Sequence, residues 1–107
     1  RGRRMTSRAR LPNKRRGESR EFAHAGHGFT LCAGFYPDGR LGEVFLNAHK
    51  TTGQIEAIAR DAAIILSIAL QFGADLETIR GALTKDHDGG PATLIGAALA
   101  ALVEEER

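Results

Sequence analysis

The clearest strand signature in this chain runs from residue 27 to residue 36: His27-Gly28-Phe29-Thr30-Leu31-Cys32-Ala33-Gly34-Phe35-Tyr36. Phe29, Leu31, Ala33 and Phe35 fall on one side, and Thr30, Cys32, Gly34 and Tyr36 on the other. Alternation with a period of two and an aromatic share this high predict a half-buried strand. Pro37-Asp38-Gly39-Arg40 follows as a turn, with proline suited to the second turn position and glycine to a positive φ. Beyond it, Leu41 to Ala48 (LGEVFLNA) predicts another strand. Upstream, Glu21-Phe22-Ala23-His24 alternates and Ala25-Gly26 supplies a turn. Three strands joined by tight turns make a meander.

Downstream the period lengthens. Ile55, Ile58, Ala62, Ile65, Ala69 and Phe72 recur at helical spacing, with Thr51 and Gln54 fitting a capping box and Gly73 a C-terminal stop. The second half of this helix, Ala62 to Leu70, is apolar nearly all round, so it must be covered on several sides. Asp75 caps a second helix with Leu76, Ile79 and Leu83 inward. Thr84 to Gly90 is a loop. Pro91 suits the first turn of a third helix, whose stripe is Leu94, Ile95, Ala98, Leu99 and Leu102. The expected class is α+β: a three-stranded antiparallel meander followed by three helices packed on one face.

The chain has 107 residues, room for one domain, and 42% of them are apolar, close to ordinary globular composition. Its net charge of +2 hides a split. Residues 1–20 carry nine basic side chains against one acid, and residues 21–107 carry six against twelve. High charge and few large apolar groups make residues 1–20 an expected disordered basic tail, with Leu11 docking on the body, and 21–107 the folded domain. The body is acidic, so any affinity for nucleic acid rests on the tail: Arg3, Arg4, Arg8, Arg10, Lys14, Arg15 and Arg16. No aromatic residue is interleaved there for base stacking. The same tail could serve as a solvated arm or dock on an acidic partner.

A single cysteine, Cys32, excludes an internal disulfide and fits a reducing cytoplasm. The longest apolar run is half a membrane span, and the N-terminus has no signal-like apolar segment. His24, His27, His49 and His87 do not converge with a completing Cys, Asp or Glu set, so neither a metal nor a cofactor is expected. Cys32, mid-strand, reads as a small half-buried apolar group rather than a nucleophile. Ser67 reads as bonded back to a main-chain carbonyl of its own helix.

One segment could hold a ligand. Asn47-Ala48-His49-Lys50-Thr51-Thr52-Gly53 leads into the long helix, where free N–H groups and partial positive charge favour anions. Lys50 adds a full charge, the Thr51 and Thr52 hydroxyls add donors, and Gly53 lets a ligand approach the backbone. Arg60 and Asp61, one to two turns on, could line the same pocket or pair with neighbours on a solvated face, the plainer reading of the two. The plainer reading is a capped helix start on a polar loop, since the P-loop spacing is absent.

The run GEVFLNAHKTTGQIEAIARDAAIILSIALQFGADLETIRGAL, residues 42–83, resembles the TSCPD domain family. The resemblance is carried by GEVFLN, by Lys50 and Gly53 before the helix, by Ala59-Arg60-Asp61 and by the SIALQFG of Ser67–Gly73. The preceding RLPNKRRGESREFAHAGHGFTLCAGFYPDGR is similar to short stand-alone members. That family is known as the C-terminal region of adenosylcobalamin-dependent ribonucleotide reductases. The TSCPD letters and that motif's cysteines are absent here, and one cysteine cannot supply the thiyl-forming and redox thiols of ribonucleotide reduction. The resemblance therefore implies a non-catalytic accessory or regulatory module associated with ribonucleotide reductase and DNA synthesis. It would form a homodimer through helix 53–72 and bind a nucleotide or anion near Lys50–Gly53. The alternative is a nucleic-acid-binding protein acting through its tail.

Overall fold

In a computed structural model, which describes residues 7–50 and 53–106, the alternating segments pair into one sheet. Its strands are β1 (Gly17–His24), β2 (His27–Phe35) and β3 (Leu41–Ala48), antiparallel in the order β1-β2-β3. Ala25 and Gly26 both take positive φ, 52° and 83°, as a two-residue hairpin of the primed type requires. They set His24 opposite His27 and Phe22 opposite Phe29, whose rings stack with centroids 5.6 Å apart. At the second turn Gly39 has φ 96°, its N–H bonds to the Tyr36 carbonyl, and the Asp38 carboxylate accepts from the Arg40 N–H. The β2–β3 register shifts between Gly34, opposite Glu43, and Phe35, opposite Leu41, which leaves Gly42 as the extra residue of a bulge.

Three helices follow: α1 (Gln54–Gln71), α2 (Leu76–Ala82) and α3 (Leu94–Glu106). Phe29, Leu31, Ala33 and Phe35 from β2 and Val44 and Leu46 from β3 are buried beneath α1 and α3. α3 contributes Ala98, Leu99 and Leu102, with Leu94 and Ile95 half-buried around them. Leu76, Ile79 and Leu83 of α2 pack at the margin as their spacing predicts.

α1 buries the opposite side from the one its isoleucine spacing marks. Ala59, Ala63, Leu66, Ser67, Leu70 and Gln71 face the sheet. Ile55, Ile58, Ile65 and Phe72 stay exposed, Ile65 to 69%. The reason lies at the edge of β3. Two alanines let the helix approach closely, and Ser67 and Gln71 then reach main-chain groups that no fourth strand pairs. Ser67 Oγ accepts the Val44 N–H at 2.8 Å and donates to the Ala63 carbonyl at 2.8 Å. Gln71 Nε2 donates to the Gly42 carbonyl at 2.9 Å.

The helix ends also depart from expectation in two places. Gly53 is the N-cap of α1, at φ 75° and ψ −136°, and among the described residues no side chain caps it. Thr51 and Thr52 lie outside the described residues. α3 begins at Leu94 rather than at Pro91, which bridges to Lys85, and the Thr93 hydroxyl accepts the Gly96 N–H. At the other end of α1 Gly73, at φ 96°, donates to the Leu70 carbonyl while Ala74 donates to that of Ala69, the paired bonds of a glycine stop.

The sequence reading ends the tail at Arg20, whereas β1 starts at Gly17. Residues 8–16 run along the body as an arm. The Ala9 N–H bonds to the Gln71 carbonyl, and the Tyr36 hydroxyl donates to the Ala9 carbonyl. Leu11 packs over Gly42. Main-chain pairing and a few specific contacts hold this arm, features that composition does not register.

Candidate groove beside the free edge of the sheet

Asn47 sits near the end of β3 on the sheet's outer face, opposite Thr30. Arg60 projects from α1. The two line one groove of about 330 Å³ together with Cys32, Phe45, Ala63 and Ile64. Two of the residues expected at a common site are thus brought together, one from each wall. Glu56 engages Arg60 through Nη2 at 3.0 Å, one turn back on the helix. Asp61, one residue further round α1, is exposed and does not line the groove. Lys50 is exposed on the loop before α1, and Gly53 presents its positive-φ backbone at the helix start. Thr51 and Thr52, which would join them, lie outside the described residues.

Phe45 was not singled out by the sequence reading. The β3 alternation puts it on the outer face between Glu43 and Asn47, where it is 52% exposed. A large aromatic among polar neighbours on a solvated sheet face offers a flat apolar contact. Next to it the Cys32 Sγ lies 3.3 Å from the Ser19 hydroxyl. Along the same face His49 Nε2 is 2.8 Å from the Thr30 hydroxyl and 4.0 Å from Glu21. Among the described residues, no group of three or more His, Cys, Asp or Glu side chains stands close enough to hold a metal ion.

A larger apolar cavity, about 500 Å³, lies away from these residues. It sits between the β2–β3 turn and the α1–α2 corner, floored by Phe35, Leu41, Leu70, Leu76 and Leu102. Asp75 at its rim is held below the ordinary carboxylate range by hydrogen bonds from the Thr78 hydroxyl and N–H. Asp38 is lowered in the same way by the N–H and guanidinium of Arg40.

Of the seven basic residues expected to act from a free tail, five are described and three of those are engaged. Arg8 donates to the Gln71 side chain, Arg15 pairs with Glu43 at 2.6 Å, and Arg16 stacks 4.1 Å over the Phe35 ring. Arg10 and Lys14 are exposed. Arg3 and Arg4 lie outside the described residues. No helix is long and apolar enough to cross a membrane among the described residues.

A small antiparallel sheet whose β3 edge is closed by polar side chains of one long helix defines a small α+β domain. The TSCPD domain profile matches residues 5–106, nearly the whole chain, and the chain belongs to the TSCPD domain family. It is 44% identical over 72 residues to a vitamin B12-dependent ribonucleotide reductase of Rhodopirellula baltica, covering 67% of this chain and 7% of that protein. A reductase of the same name from Bradyrhizobium diazoefficiens is 35% identical over 80 residues, 75% of this chain and 6% of its own length. One from Streptantibioticus cattleyicolor is 38% identical over 71 residues, 66% of this chain and 12% of its own. The chain thus spans about a tenth or less of the curated relatives it matches. No solved structure matches it.

Proposed function

We propose that this domain is a non-catalytic accessory module that works with a vitamin B12-dependent ribonucleotide reductase, in support of DNA synthesis. The observation that carries this reading is the match of two thirds to three quarters of the chain to a short segment of such reductases. A single half-buried cysteine, 3.3 Å from a serine hydroxyl, offers no dithiol chemistry of its own. The setting proposed is the cytoplasm, where a lone thiol stays reduced. The domain self-associates through α1, whose isoleucines the described residues leave exposed.

The groove between β3 and α1 is the proposed ligand site, taking a nucleotide or related anion. Phe45 gives a face for a base, Asn47 an amide for its edge, and Arg60 a charged fork for phosphate. Lys50 and the start of α1 at Gly53 extend the positive end. Calorimetry with nucleoside di- and triphosphates tests this on wild type, Lys50→Ala, Arg60→Ala and Phe45→Ala. Weaker binding in all three variants is expected, and equal heats, or none in any protein, would remove the site. Co-elution with a B12-dependent reductase chain lacking this segment tests the partner. Nucleic-acid binding through the arm is the second reading, favoured only by the exposure of Arg10 and Lys14.

A further inference from the structure

α1 packs on the sheet through its small and polar side and turns a row of large apolar side chains outward. Ile58, Ile65 and Phe72 are 58%, 69% and 41% exposed and are spaced seven residues apart. Ile55, Ile64 and Ile68 flank them at 43%, 48% and 37%. Six such side chains on one helix reach the size of the largest apolar patch an ordinary monomer shows, about 300–600 Å². The large apolar residues of α2 and α3 that the structure describes pack on the core and its margin.

We propose that the row is covered by the same row of a second copy, with the two α1 helices antiparallel about a two-fold axis beside Ile65. This rests on the self-association proposed above and adds its geometry. The row is its own complement: a two-fold axis at Ile65 sets Ile58 against Phe72 of the partner subunit, and the reverse. A seven-residue repeat keeps one seam facing its partner when helices cross at about 20°.

Charge selects the direction. From Ala62 to Ala74 there is no ionisable side chain, and Asp61 stands within the row, one turn after Ile58 and one turn before Ile65. A parallel pair brings two Asp61 carboxylates to the same level, an unfavourable like-charge contact. The antiparallel pair sets Asp61 at the level of Ala69 of the partner subunit, near the end of the seam, and opposes the two helix dipoles. The uncharged stretch also offers no polar anchor by which a different protein would be distinguished. Ile64 belongs both to the row and to the groove of Asn47 and Arg60, so a second copy would add to that groove's wall.

Light scattering over a concentration series should show dimers for wild type and at least about tenfold weaker association for Ile65→Asp. The substitution is at a solvent-exposed position, so circular dichroism should be unchanged. Cross-linking in a Cys32→Ser background fixes the direction. Ile65→Cys should oxidise to a linked dimer with itself, as Cα atoms near a two-fold axis can meet the roughly 4.4–6.8 Å a disulfide needs. Ile58→Cys should link to Phe72→Cys when the two are mixed and not to itself. Self-linking of Ile58→Cys would overturn the antiparallel arrangement. Monomers at every concentration would overturn the self-association reading. Association seen only after adding a reductase chain would assign the row to that chain instead. None of these outcomes depends on whether the groove binds nucleotide.

Discussion

Ser67 and Val44 are joined across the edge of the sheet: the serine hydroxyl accepts the Val44 N–H at 2.8 Å and spends its proton on the Ala63 carbonyl at 2.8 Å. Val44 is 1% and Ser67 8% exposed, so water does not stand in for either partner. A helical side chain here takes the place of a fourth strand, and Gln71 repeats the device one turn on at Gly42. β3 is thereby closed against a further strand over this stretch, a hazard that exposed sheet edges carry.

Ser67→Ala removes the acceptor and leaves the buried Val44 N–H without one. Unfolding free energy should fall by about 1–3 kcal/mol, the cost of an orphaned buried donor, despite the better helix propensity of alanine. Urea denaturation at fixed protein concentration measures it, since dimerisation would otherwise shift the midpoint. A loss below about 0.5 kcal/mol would mean the edge is satisfied in another way.

Gly42→Ala should release the arm. A Cβ there would lie 2.7 Å from the Tyr36 ring and 2.8 Å from the Leu11 side chain, and Leu11 is the part that can move. Hydrogen exchange at the Ala9 N–H, bonded to the Gln71 carbonyl, should speed up by roughly tenfold or more. Amides of β2 should keep their protection. Unchanged exchange at Ala9 would show that Leu11 does not hold the arm.

Asp75 caps α2 as a carboxylate, and its folded pKa lies below the ordinary 3.8. A lowered folded pKa stabilises above the unfolded value and loses that contribution as pH falls through the folded one. Asp75→Ala should therefore lower the melting temperature near neutral pH, with the gap to wild type closing as pH drops below 3.8. Thermal scans across acid and neutral buffers check this. A gap independent of pH would assign the effect to something other than the ionised cap.

The arm sets a limit on nucleic-acid binding. Arg15 is tied to Glu43 and Arg16 to the Phe35 face, while Arg10 and Lys14 are exposed. If duplex DNA binds, Arg10→Ala and Lys14→Ala should each reduce the salt slope by about one phosphate's worth, and Arg15→Ala should leave it nearly unchanged. Fluorescence anisotropy over a salt series reads the slopes. Absence of binding even at low salt would end that reading.

Local chemistry alone specified β2, β3 and most helix ends, while the first half of β1, Gly17–Arg20, escaped it. The alternation through Phe29–Phe35, the turn at Pro37–Arg40, the glycine stop at Gly73 and the cap at Asp75 each depend on a few neighbours, and neighbours are what a sequence displays. Asn47 and Arg60 were legible as site candidates, but Phe45 between them was passed over, although the period of β3 already placed it on their face. The side of α1 that would be buried was not legible. A helix apolar nearly all round has no preferred face until something else supplies one. Here the unpaired main-chain groups of Gly42 and Val44 supply it, drawing in Ser67 and Gln71 and turning Ile58, Ile65 and Phe72 outward. The ordering of residues 8–16 belongs with that choice, since its partners, Gln71, Tyr36 and Glu43, are distant in the chain and adjacent only once the sheet and α1 have met.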